Sequence, residues 1–206
     1  MRAEYVQAGL DETAAGNDPF ALFERWLADA VTAQIVEPNA MALATATVEG
    51  RPSVRIVLLK GMDDSGMIFF TNYASRKGEE LETNPHAAAV MLWHPLHRQV
   101  RFEGAVGRID PTESDDYFAS RPRGSQLGAV SSPQSQVVDS RSELETRFDS
   151  VEGHFAGRAV DRPQDWGGYR MELHTIEFWQ GRENRMHDRL RFEQAPGGWS
   201  VERLAP

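Results

Sequence analysis

The sequence has no cysteine, and only two of its twenty-two basic residues, Lys60 and Lys77, are lysines. Without cysteine there can be no disulfide, no thiolate metal ligand and no cysteine nucleophile. No run approaches the roughly 18 apolar residues of a membrane span. Neither Gly-x-Gly-x-x-Gly nor a P-loop is present, which speaks against a Rossmann-bound dinucleotide or a nucleoside triphosphate. A general basic footprint is also missing. The net charge is −9, which disfavours nucleic acid or an anionic membrane as partner. Met1-Arg2-Ala3-Glu4-Tyr5 leads into polar, acidic sequence rather than an apolar leader, so a cytoplasmic protein is expected.

What is present suits one domain spanning 1–206. The 206 residues are 40% hydrophobic and 26% charged, enough for a sizeable core. No internal repeat or low-complexity segment interrupts them. Asp18 caps a first helix with Pro19 at its first position, and Phe23, Trp26, Leu27, Ala30 and Val31 share its apolar face. Residues 1–17 ahead of it are expected to be a mobile segment. Strands are predicted over 41–48, 53–60, 67–72, 86–93, 98–109, 169–176 (with a possible extension to 179), 185–193 and 199–204. A helix is predicted over 75–83, and capping boxes open others at Asp110 and Ser140. Antiparallel strands with helices between them predict a mainly β protein, a β-barrel with helical insertions.

Three clusters point to chemistry. Lys77 follows Arg76 in the first turn of the helix after Met67–Asn72. Two cations there oppose the helix dipole, a penalty that a bound phosphate reverses. Lys60 ends the run Arg55-Ile56-Val57-Leu58-Leu59-Lys60. Two lysines must fall somewhere, and a solvated cation is the ordinary explanation, but position argues against it for Lys77. The second cluster is Arg185-Met186-His187-Asp188-Arg189-Leu190-Arg191. In a strand, Arg185, His187, Arg189 and Arg191 share one face, with Met186, Leu190 and Phe192 on the other. This is either a charged edge that resists aggregation or a ligand face. At the third, Pro122 ends one helix and opens another, so that Tyr117, Arg121 and Ser125 converge on a second phosphate-like junction. Taken alone, that would be a charged inter-helix turn. Gln99, Gln134, Ser135, His94 and His97 carry little by themselves. Lacking a metal set or a nucleophile, an enzyme built this way would take its chemistry from an organic cofactor.

Taken in order, these segments resemble the pyridoxamine 5′-phosphate oxidase family. The likeness runs from Arg2-Ala3-Glu4-Tyr5 through Asp18-Pro19, Phe23-Glu24-Arg25-Trp26-Leu27, Arg55 to Lys60, and Ser75-Arg76-Lys77. It continues through Tyr117-Phe118-Ala119-Ser120-Arg121-Pro122-Arg123, Ile176 to Gly181 and Arg185 to Arg189, ending at Arg203-Leu204-Ala205-Pro206. The resemblance implies a split β-barrel homodimer with FMN at the subunit interface. It places the cofactor on Arg55, Ile56, Val57, Leu58, Leu59, Lys60, Phe70, Thr71, Arg76, Lys77, Gln99, Gln134, Ser135, Trp179 and Arg189. It places the substrate on Arg2, Ala3, Glu4, Tyr5, Lys60, Tyr117, Arg121, Ser125, Arg185, Met186 and His187, with Arg185 and His187 as the catalytic pair.

The implied reaction oxidises pyridoxamine or pyridoxine 5′-phosphate to pyridoxal 5′-phosphate, with dioxygen as acceptor and hydrogen peroxide as product. Phe70 stands where the family often has tyrosine, and Ala3 replaces a basic residue. Arg55 and Lys60 have opposite strand parity, so Lys60 is expected to lie past the regular end of its strand or at a bulge. Two alternatives stay open at this point. One is a related FMN barrel oxidase with another substrate, such as a phenazine-forming enzyme; the other is a non-catalytic flavin- or pyridoxal-phosphate-binding protein.

Overall fold

A computed structural model describes residues 9–206. The chain begins with a short helix α1 (Glu12–Ala15) and the longer α2 (Pro19–Thr32), which Asp18 caps by accepting from the backbone N–H of Phe20 and Ala21. Next come β1 (Ala40–Ala46), β2 (Pro52–Leu58), β3 (Gly61–Asp63), β4 (Gly66–Asn72), α3 (Arg76–Thr83), β5 (His86–Trp93) and β6 (Arg98–Arg108). A helical excursion follows: α4 (Pro111–Ser120), α5 (Arg123–Ser131) and α6 (Arg141–His154). The chain then returns to strands with β7 (Trp166–Gln180), β8 (Asp188–Ala195) and β9 (Gly198–Arg203). Of the segment 1–17, residues 9–17 are described; they carry α1 and bury Leu10 and Ala15. Residues 1–8 lie outside the described residues, and with them the predicted substrate motif Arg2 to Tyr5.

One antiparallel sheet runs β2-β1-β5-β6-β7-β4-β3, with β8 and β9 branching from β7. β7 organises the molecule. Its one edge pairs with β6 from Tyr169 to Gln180, while its other edge pairs first with β4 (Trp166 to Met171) and then with β8 (Thr175 to Gln180). The β6–β7 register shifts at Glu103/Gly104. Gly104 is required there, because a Cβ would sit 1.9 Å from the Glu172 carbonyl oxygen. A bulge at this point raises the twist and lets the sheet curl.

Period-two alternation buries Val100, Phe102, Ile176, Phe178, Leu190 and Phe192 completely on one face of β6, β7 and β8. α2 closes that face. Trp26 meets Phe178 edge-on at 5.2 Å, and Phe23 meets Phe102 at 5.4 Å. The predicted strands and helices stand within a few residues of their expected bounds, except in two places. The three-residue β3 pairs with β4 where only a turn was expected.

The second exception matters more, because the predicted strand at 185–193 begins only at Asp188. Glu183–Arg185 form a 3-10 turn in which Asn184 (φ 56°) and Arg185 (φ 62°) are left-handed, and the Arg182 N–H closes the loop onto His187 Nδ1 at 3.0 Å. Arg185 and His187 therefore do not share a strand face with Arg189 and Arg191, and Met186 is exposed rather than grouped with the buried Leu190 and Phe192. The row of four basic residues is a loop followed by a strand.

The packing around Phe178 gives a stability test. Phe178→Ala should lower the unfolding free energy by about 3–5 kcal/mol, since both aromatic neighbours lose their contact. Val137→Ala, at a 98% exposed position, should change it by no more than about 0.5 kcal/mol. Urea unfolding of the two variants checks the contrast.

Candidate active site

Lys77 sits in the first turn of α3, with Ser75 as the cap. It is only 7% exposed. Its Nζ donates to Thr71 Oγ1 (3.0 Å), Ser75 Oγ (3.2 Å) and Gln134 Oε1 (3.1 Å). Three neutral oxygens receive the ammonium. Burial, and after it the charge of Arg55, pushes its pKa down to about 8, with Glu80 acting in the opposite direction. Arg55 reaches the same region from β2. Its Nη1 donates to the Leu43 carbonyl (3.1 Å) and Thr45 Oγ1 (2.6 Å), and its Nη2 donates to Ser53 Oγ.

Lys77 and Arg55 line one end of a cavity of about 650 Å³ that also takes in Ile56, Val57, Leu58, Lys60, Phe70, Thr71 and Gln134. β2 is an edge strand, so its outer backbone groups are left without a strand partner and can serve a ligand. Lys60 lies two residues past the end of β2, and its backbone N–H donates to Ile68. That position accounts for its parity.

The α4–α5 junction forms the other end, with Tyr117, Arg121, Pro122 and Ser125. Arg121 is the C-cap of α4 and Pro122 precedes α5, as the Pro122 signal predicts. Tyr117 stacks on Phe70 at 3.8 Å and Phe70 on Trp166 at 5.5 Å, with the Arg121 guanidinium 4.6 Å above Trp166. Lys60 Nζ lies 5.9 Å from the Tyr117 ring centre. Arg121 Nη1 is buried and has no hydrogen-bond partner among the described residues. A buried cationic donor with no acceptor fits an anionic oxygen supplied from outside.

The remaining predicted residues gather elsewhere. Gln99, Trp179 and Arg189 lie side by side across β6, β7 and β8. The His187 ring is 4.6 Å from the Trp179 ring, which brings the Arg185–His187 loop to the same row. Arg189 Nε donates to Glu177 at 2.8 Å. Trp166 and Trp179 stand near opposite ends of β7, on the order of 40 Å apart along a strand rising about 3.3 Å per residue. Three predicted cofactor residues do not line the cavity. Leu59 packs in the core, Arg76 is bound to Glu80 outside the cavity, and Ser135 follows the lining residue Gln134 with φ 73°.

Comparison with known proteins decides the family. Residues 27–155 match the family described as Pyridoxamine 5′-phosphate oxidase, and residues 166–206 match the Pyridoxine 5′-phosphate oxidase C-terminal dimerisation region. The chain belongs to the pyridoxamine 5′-phosphate oxidase family. A protein of Rubrobacter xylanophilus called Pyridoxine/pyridoxamine 5′-phosphate oxidase is 55% identical over 206 residues, covering 100% of this chain and 95% of its own. One of the same name from Salinibacter ruber is 53% identical over 209 residues, covering 100% and 97%. Among solved structures, PhzG from Burkholderia lata, in complex with tetrahydrophenazine-1-carboxylic acid, superposes with a TM-score of 0.92 at 32% identity, covering 99% of this chain and 100% of that one. A pyridoxamine 5′-phosphate oxidase-related, FMN binding protein from Nostoc punctiforme shares the fold at TM-score 0.71 and 15% identity, covering 89% and 97%. The fold is thus the split barrel of this oxidoreductase family.

Against the family pattern, two side chains that sequence reasoning passed over stand out. Trp166 forms the aromatic floor beneath Arg121, and its only signal was an aromatic before Gly167-Gly168 at a strand start. Glu80 lies beside the cations of α3, signalled only by its i,i+4 spacing from Arg76.

Lys77 carries a measurable mark of its burial. A lysine whose folded pKa lies below its unfolded value binds fewer protons when folded, so stability rises with pH between the two. Without ligand, the unfolding free energy should rise by about 1–2 kcal/mol between roughly pH 8 and 9.5 through this group. Lys77→Met should flatten that rise. Urea unfolding of both proteins at the two pH values checks it.

Proposed function

We propose that this chain oxidises pyridoxamine or pyridoxine 5′-phosphate to pyridoxal 5′-phosphate, using FMN, at two equivalent sites shared across a homodimer. The observation that carries the reading is the pair of cationic stations in one cavity. Arg55 and Lys77 form one, and Tyr117, Arg121 and Ser125 form the other, with Lys60 also in the lining. Two stations fit two phosphates, one on the cofactor and one on the substrate. Arg121, with an unpartnered buried nitrogen, supports a phosphorylated substrate over the alternative that PhzG represents, an oxidase acting on another molecule.

In this reading Arg55, Lys77 and Arg76 take the FMN phosphate, while Thr71, Gln134, Ser135 and the edge of β2 from Arg55 to Lys60 take the rest of the cofactor. FMN, when bound, accepts hydride from the substrate 4′ carbon and passes the electrons to dioxygen, which leaves as hydrogen peroxide. The protein's own part is orientation. Tyr117, Arg121, Ser125 and Lys60 fix the substrate phosphate, which aligns the reacting carbon and lowers the entropic part of the barrel's task. Phe70 and Tyr117 wall the cavity with aromatic surface that limits water. Arg185 covers the substrate ring, and His187, held by the Arg182 N–H at Nδ1, hydrogen-bonds the substrate.

The separation of the Gln99–Trp179–Arg189 row from the cavity supports division of the site between chains. So does the exposed outer face of the sheet. Val54 and Ile56 on β2 and Leu92 on β5 are each at least 60% exposed. Register then carries that face from Leu92 to Gln99 and on to Trp179 and Arg189. Apolar surface continuous with a ligand-directed row is what a twofold partner covers.

Purified protein supplied with FMN and pyridoxamine 5′-phosphate should release hydrogen peroxide and aldehyde in equal amounts; no peroxide would end the oxidase reading. Arg121→Ala should weaken the phosphorylated substrate by about 1.5–3 kcal/mol while leaving FMN affinity almost unchanged. Titrating each ligand separately tests it, and equal loss of both would remove Arg121 from the substrate station.

Division between chains has its own test. Lys77→Ala and Arg189→Ala, each inactive alone, are mixed and allowed to exchange subunits. If one FMN is held by Lys77 of one chain and Arg189 of the other, each mixed dimer keeps one intact site, and about a quarter of wild-type activity returns. No recovery despite demonstrated exchange would place both residues at the flavin from one chain.

A further inference from the structure

A single acid lies among the cations at the Lys77 end. Glu80, on α3, is 5% exposed and accepts four contacts. Its Oε1 takes Arg76 Nε at 2.9 Å. Its Oε2 takes the Thr45 hydroxyl and Ser53 Oγ (2.5 Å), and lies 3.5 Å from Arg55 Nη2. One carboxylate thereby joins β1, β2 and α3, with a guanidinium from β2 on one oxygen and a guanidinium from α3 on the other. Burial alone would raise its pKa, but the hydrogen bonds from Ser53, Thr45 and Arg76 outweigh that and hold the carboxyl at about 2. It is ionised at neutral pH.

An anion beside an anion site needs a reason. Three cations so close together repel, and a guanidinium free to turn does not present its donors in a fixed direction. We propose that Glu80 is a positioning residue of the FMN-phosphate station, locking Arg55 and Arg76 so that their remaining N–H groups converge on the phosphate. The proposal rests on the FMN reading above. Glu80 acts through the two arginines and does not touch the cofactor. Its own repulsion of a phosphate is the smaller effect, because its negative charge is already engaged by two guanidinium groups and two hydroxyls. Without it, Arg76, whose side chain is 62% exposed, turns to solvent, and Arg55 is held only by neutral acceptors.

The test separates phosphate recognition from general stability. Wild-type protein and Glu80→Gln are stripped of flavin, and the Kd of FMN and of riboflavin, which lacks the phosphate, is measured for each. FMN should bind at least about tenfold more weakly to Glu80→Gln, while riboflavin changes by less than about twofold, so the preference for FMN collapses. Glu80→Asp, which keeps the charge, should restore a large part of that preference.

A second readout is the pH profile. FMN binding favours the Lys77 ammonium, so affinity in the wild type should weaken as pH rises past about 8. The charges bearing on Lys77 are Arg55 from β2 and Glu80 from α3. Glu80→Gln removes the one that favours the ammonium, and the limb should move to lower pH.

Unchanged or tighter FMN binding by Glu80→Gln overturns the proposal, because Glu80 would then only oppose the phosphate. Equal loss of FMN and riboflavin also overturns it, in favour of a structural role. A wild type that binds both flavins alike removes the FMN reading and the proposal with it, a result visible without any variant.

Discussion

The pairing of β7 on both edges is the constraint from which the rest of the structure follows. A single strand of fifteen residues holds β6 along one side and hands its other side from β4 to β8 part-way along. That handover splits the barrel. It places Trp166 against the helical excursion and the α3 turn, and Trp179 against the loop that carries His187. The Gly104 close approach lets β6 follow the curl, and α2 seals the apolar face so formed. Each functional cluster is therefore attached to a different end of one rigid element, and their separation is a property of the sheet rather than of loop placement.

The site itself stands against its own electrostatics. Arg55, Arg76 and Lys77 meet near a helix start where positive charge is disfavoured, and Lys77 is buried deeply enough to lose much of its preference for the charged form. Hydroxyls, an amide oxygen and one carboxylate contain this repulsion before any ligand arrives. An arrangement of this kind favours an anion because the anion relieves a cost that folding has already incurred. The Arg121 station uses a different device, a guanidinium laid over an aromatic floor with one nitrogen buried and unmatched.

Much of this was legible in the sequence, for physical reasons that can be named. Period-two alternation gave β5 and β6, Asp18-Pro19 gave the start of α2, and Ser75 with Arg76-Lys77 gave the cap and the buried cation of α3. Pro122 gave the helix break at which Arg121 and Ser125 meet. What escaped depended on three-dimensional neighbours or on backbone conformation. The 183–187 loop resembled a strand because its residues alternate, and nothing local announced that Asn184 and Arg185 would adopt left-handed angles. Glu80 resembled any solvated helix acid, since burial comes from strands β1 and β2 that are distant in sequence. Trp166 was invisible as a site residue because its partners, Phe70 and Tyr117, come from other elements.

The stacked wall of Trp166, Phe70 and Tyr117 also gives the molecule an optical signature. Of the five tryptophans, Trp26 and Trp93 are sealed in the core, whereas Trp166 lies beneath the Arg121 guanidinium and Trp179 beside His187. The indole most exposed to changes at the α4–α5 station is thus held in a fixed stack with a charge above its face. Anything that draws that guanidinium away or neutralises it alters the field across the ring. Emission from Trp166 then shifts with occupancy of the anion station, and the protein carries a built-in fluorescent reporter for it without a label.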